Sequence, residues 1–136
     1  MADKYLYTNV RANTPETVLV AGQINVGADG FTVTTSPLPQ QVSSLVHNST
    51  GNYTLFFKTV WPQLLSVEID PLIPASASPN LLAVQIDSHN IGQSGTSDGQ
   101  QGITFRLYTI AATPALANLP ANSGLLFRVT FKNSSL

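Results

Sequence analysis

The sequence predicts a single all-β domain, an antiparallel β-sandwich or jelly-roll-like unit of about eight strands. Three observations carry that expectation. β-Branched and aromatic residues recur in short runs that alternate apolar with polar positions. Gly, Pro, Asn and Ser break those runs at intervals of roughly a dozen residues. Helical periodicity is almost absent from the 136 residues. A barrel meets the same description and is the alternative.

Residues 1–16 carry Lys4, Tyr5, Tyr7 and Arg11 on a polar background and are expected to form an extended arm or an edge strand, with the sandwich over 17–136. The first strong strand runs from Thr17 to Val26, with Val18, Val20, Ile24 and Val26 on one side and Leu19, Ala21, Gln23 and Asn25 on the other. Gly22 inside it marks a bulge or a close backbone approach. Strands are expected next at Phe31 to Thr35 and Gln41 to Val46. Tyr53, Leu55 and Phe57 then alternate with Thr54, Phe56 and Lys58. Trp61-Pro62 interrupts before Leu65, Val67 and Ile69 alternate with Ser66, Glu68 and Asp70. The two runs read as an antiparallel pair joined by a short loop.

Leu81 to Asp87 is a further strand. The clearest are the last two, where Ile103, Phe105 and Leu107 alternate with Thr104, Arg106 and Tyr108, and Leu125, Phe127, Val129 and Phe131 with Leu126, Arg128, Thr130 and Lys132. Loops fall at Ser36–Gln40, Pro71–Asn80 and Asn90–Gln101. The last is rich in Gly, Ser and Gln and suits a segment that is mobile or ordered by a partner.

Composition narrows the function. Apolar residues are 43% of the chain and charged residues only 10%, against about 25% in an ordinary soluble domain. The polar surface is therefore built from Thr, Ser, Asn and Gln, whose neutral groups lose water more cheaply than ions, as lasting protein contact requires. A net charge of −1 provides no excess of cations for phosphates, so direct nucleic-acid binding is not expected. Met1-Ala2-Asp3-Lys4 lacks the apolar run of a signal peptide, and no run is long enough to cross a bilayer as a helix, so synthesis in a cytosol and no membrane partner are expected. The absence of Cys excludes disulfides, thiolate metal sites and a Cys nucleophile.

Residues able to do chemistry are few. Asp87-Ser88-His89, with Ser94 nearby, offers the residue types of a catalytic triad, but neighbours on an extended chain point to opposite faces. His47 and His89 have no metal-ligand partner at local spacing, and turn or solvent-facing roles are expected for both. Glu68 and Asp70 share a strand face, as paired glycosidase carboxylates would. A solvated face, or an ion pair to Lys58 or Arg106, accounts for them more simply. No phosphate-binding loop or calcium loop occurs. The sequons at Asn48, Asn52 and Asn133 read equally as turn residues. Trp61 beside Pro62 is either a cap on the core or an exposed platform for sugar or protein. No catalytic residue, metal or cofactor is expected.

Gly51-Asn52-Tyr53-Thr54-Leu55, Leu64-Leu65-Ser66-Val67, Thr104-Phe105-Arg106-Leu107-Tyr108 and the closing run from Leu126 through Asn133-Ser134-Ser135-Leu136 resemble a family of small structural proteins of tailed bacteriophages, the cement or decoration proteins of phage heads. The resemblance spans residues 48 to 136. It implies a sandwich made in the host cytoplasm that assembles as a homodimer or homotrimer on the virion and binds the major capsid protein between capsomers. Interface candidates under that reading are Lys4, Tyr5, Tyr7 and Arg11 in the arm, Trp61, and Pro71, Ile73 and Pro74 in the following loop. The alternative is a receptor- or carbohydrate-binding module of a tail fibre or spike, which would use Trp61, Tyr53 or the loop from Asn90 to Gln101.

Overall fold

The computed structural model describes residues 16–77 and 81–133. Among them are seven strands and no helix: β1 (Thr17–Asn25), β2 (Val42–Ser49), β3 (Asn52–Phe57), β4 (Gln63–Leu72), β5 (Leu82–His89), β6 (Gln101–Thr109) and β7 (Gly124–Lys132). They form two antiparallel sheets, one in the order β1-β7-β4 and the other in the order β2-β3-β6-β5. The all-β sandwich expected from alternation is what the chain adopts. The expected arm lies, apart from Glu16, outside the described residues, as do Lys4, Tyr5, Tyr7 and Arg11.

The two-residue rhythm sets which side chains go inside. In the three-stranded sheet, Val20 and Ile24 of β1, Ile69 of β4 and Leu125, Phe127, Val129 and Phe131 of β7 are buried. Against them lie Val42 and Leu45 of β2, Tyr53, Leu55 and Phe57 of β3, Leu82 of β5 and Ile103, Phe105 and Leu107 of β6. Each such side chain contributes roughly 1.5–3 kcal/mol by leaving water. Phe131 joins the sheets: its ring meets Phe57 edge-on at 5.0 Å and stacks on Trp61 at 5.0 Å. Gly22 is a close approach, because β1 and β7 pair without a bulge and a Cβ at 22 would stand 2.7 Å from Pro39 Cβ.

Two expectations are corrected. The runs around Tyr53 and Leu65 do not pair: β3 lies between β2 and β6, whereas β4 lies beside β7 in the other sheet. The link through Trp61-Pro62 is a crossing between sheets, held by the Trp61 ring in the core and by Gln101. That wholly buried amide accepts from Trp61 N at 2.7 Å and donates to Trp61 O at 3.2 Å, in the manner of a strand partner. Residues 31–35 are not a strand either. Asp29 caps a turn by accepting from the Phe31 and Thr32 amides and from the Thr32 hydroxyl. Val33 then meets Val26 in an isolated bridge.

At one end of the sandwich the turn around Gly30, the β2–β3 turn and the stretch 117–119 close on one another. The buried Tyr53 hydroxyl donates to Gly30 O at 2.7 Å and accepts from Leu119 N at 3.0 Å. Asn118 Oδ1 accepts from Gly51 N and bonds His47 Nε2 at 2.9 Å. The opposite end carries the link 58–62 and the loop 90–100.

Candidate functional site

Register places the remaining side chains on the two outer faces. On the three-stranded sheet Ala21, Arg128 and Glu68 form one row and Gln23, Leu126 and Asp70 the next. They line an open cleft of about 520 Å³. Glu68 and Asp70 therefore do share a face, but Glu68 pairs with its cross-strand neighbour Arg128 at 3.9 Å. Neither of the expected partners reaches it: Lys58 follows β3, and Arg106, on β6, pairs with Asp87 at 3.4 Å. A hydrogen bond with Tyr108 first, and Asp87 second, holds the Arg106 guanidinium above its ordinary value.

The triad residues do not assemble. Asp87 is turned to Arg106, and His89 Nδ1 accepts from the Ile91 amide at 3.1 Å, which occupies one ring nitrogen with a local turn. His47 is not simply solvent-facing: its half-buried ring stacks on Phe31 at 4.4 Å and meets Tyr53 edge-on. Among the described residues no three His, Asp or Glu side chains come together as metal ligands. No helix there is long and apolar enough to cross a membrane.

A second outer cleft, of about 420 Å³, lies on the four-stranded sheet. Its floor is two rows: Phe56 of β3, Gly102 of β6 and Asn90 just past β5, then Thr54, Thr104 and Ser88 across β3, β6 and β5. Gly102 leaves room for Phe56 and Thr54, since a Cβ there would come 2.8 Å from Phe56 Cδ1 and 2.9 Å from Thr54 Cγ2. The register shift between Ile86 and Ser88 puts Ser88, and not Asp87, opposite Thr104. A bulge thus re-aims a carboxylate away from the cleft. The loop 90–100 closes one end and is tied to the chain's own groups, through Asn90 to Gln100 O and Gly102 N, Ser97 N to Gln100 Oε1, and Thr96 to Gln93 O and Gln101.

The third region is a surface poor in charge. From 71 to 86 and from 107 to 127 the sequence contains no charged residue. The fold brings the described parts of these stretches together: β5 pairs with β6, and Pro74, Ser76 and Ala77 share a depression with Pro120, Ala121 and Asn122. Leu81 and Ile110 are each 62% exposed at the end of this sheet. Ala83, Tyr108, Ile110 and Pro114 line a mainly apolar hollow beside them, and Leu116 bridges Tyr108 while remaining exposed.

Of the interface candidates, Pro71 and Ile73 sit half-buried at the end of β4 and just past it, where Ile73 packs on the core. Pro74 opens a turn by accepting from Ala77 N. These three belong to the charge-poor side. Trp61 does not: its ring, 7% exposed, is a core element and presents no face to a partner, and Tyr53 is buried likewise. Sequence reasoning missed Leu81, Ala83, Tyr108 and Ile110 as a group. The signal was the long uncharged stretch around each. Comparison with protein families, curated proteins and solved structures finds no match to this chain.

Proposed function

We propose that this domain is a virion structural protein of the cement or decoration kind, seated on the outer surface of a phage head between capsomers and stabilising the shell. The observation that carries the reading is the charge-poor side to which 71–77, 81–86 and 107–127 contribute, with Leu81, Ile110 and Leu116 standing out of it. A surface poor in ions loses its water at little cost, and exposed aliphatic side chains gain from contact, so such a side favours a lasting protein partner over bulk solvent. The partner in this reading is the major capsid protein. Further copies of the chain, as a dimer or trimer, add valency, so that shallow contacts repeated by symmetry sum to a firm grip. The resemblance over residues 48 to 136 supports the same role.

The test uses heads of the parent virus stripped of this protein. Added back, the wild type is expected to co-sediment saturably and to raise the temperature at which the heads open. Ile110→Glu places a charge on an exposed position and is expected to lose binding by at least about tenfold, with the domain's own melting temperature unchanged. Folded wild-type protein that leaves the heads unbound and no more heat-resistant would remove the reading.

A further inference from the structure

We propose that the cleft floored by Gly102 on the outer face of the four-stranded sheet is a binding site for a neutral saccharide, a function beyond the seating role and independent of it. The cleft and the charge-poor side are built from different residues, so either can fail without the other.

The chemistry of the lining argues for the ligand. No carboxylate, ammonium or guanidinium lines the cleft. The one charge that strand alternation would have placed opposite Thr104 is moved aside by the register shift before Ser88 and is engaged with Arg106. A phosphate, carboxylate or amine would find no counter-charge there. The half-buried Phe56 ring lines the cleft, with Cδ1 reaching to within 2.8 Å of where a Gly102 Cβ would stand, so the glycine leaves room for an aromatic wall. Aromatic faces stack on the C–H faces of sugar rings.

The polar groups divide into spent and free. Thr54 Oγ1 accepts from Asn48 Nδ2 at 2.8 Å and bonds the Thr104 hydroxyl at 2.9 Å, while both ends of the Asn90 amide are committed to the 100–102 backbone. These bonds fix the floor. Beside it, the Ser88 hydroxyl and the exposed Gln93 amide can donate and accept, as the hydroxyls of an uncharged sugar require. An aromatic wall together with neutral hydrogen-bonding groups is the division that a pyranose itself presents.

The experiment is a titration of the ¹⁵N-labelled full chain with maltohexaose, cellohexaose and chitohexaose, followed by amide chemical shifts, with 3′-sialyllactose as an anionic probe. The expected result is saturable movement of the Phe56, Ser88, Gly102 and Thr104 amides with at least one neutral oligosaccharide, and weaker movement with the sialylated one. Phe56→Ala is expected to weaken that binding by about tenfold or more. Because Phe56 is partly packed, Gln93→Ala, on an exposed loop, provides a second variant with the same direction. Absence of saturable shifts with every neutral probe, shifts centred elsewhere, equal or stronger response to sialyllactose, or undiminished binding in both folded variants would each overturn the proposal.

Discussion

Gln101 shows how one side chain can stand in for a strand. Its amide pairs with both the N–H and the C=O of Trp61 inside the core. Gln101→Leu would fill similar space but leave those two groups unpaired and buried, so a loss of about 1–3 kcal/mol is expected, read as a lower urea midpoint with unchanged slope. Its position was legible, since 101 is in phase with Ile103, Phe105 and Leu107, but a Gln beside a Gly-rich loop reads as loop until its partner is seen. Tyr53 makes a second such anchor. Burial pushes its phenol above the ordinary value of 10.0, against the lowering effect of the Leu119 amide. A raised acid of this kind favours the neutral form in the fold. Its stabilisation is therefore complete below 10.0 and lost as pH climbs through the higher folded value. Tyr53→Phe is expected to cost about 1–3 kcal/mol at neutral pH and to abolish that alkaline part of the stability profile, measured by denaturation at stepped pH.

Among the elements, the turn at 27–32 and the crossing at 58–62 departed most from expectation. Asp29-Gly30 between Val26 and Val33 was a readable hairpin signal. Gly30, at φ 81°, accepts the left-handed backbone, and a Cβ there would fall 2.0 Å from Leu119 O. The Thr32 hydroxyl first, then the Thr32 and Phe31 amides, hold the Asp29 carboxyl below its ordinary value of 3.8. A lowered acid stabilises above that ordinary value and ceases to as pH falls through the folded one. The Phe31 and Thr32 amide signals are thus expected to follow a titration whose midpoint lies below 3.8, a change absent in Asp29→Ala. The crossing was not readable. Alternation on both sides of Trp61-Pro62 fits a hairpin as well as a change of sheet, because each strand keeps one apolar face in either case. What decides it is the fit of Trp61 and Phe57 around Phe131. Phe131→Ala removes that junction and is expected to cost about 3–5 kcal/mol, seen as a fall in melting temperature.

For the whole molecule, alternation made the sandwich legible because each strand had to bury one face. The surfaces were legible only as composition. The two uncharged stretches stand some twenty residues apart in the chain, and only strand pairing makes one side of them. Likewise, nothing in the order Asp87-Ser88 shows that a bulge will exchange their places. The proposed seat on the partner is the side to which 71–77, 81–86 and 107–127 contribute. Hydrogen exchange of the protein, free and bound to heads of the parent virus, tests it most directly. Slower exchange on binding is expected at 73–77, 81–86 and 110–122, with the β1 edge and the link 58–62 unchanged. Protection confined to those latter segments, or no protection in the presence of heads, would contradict it.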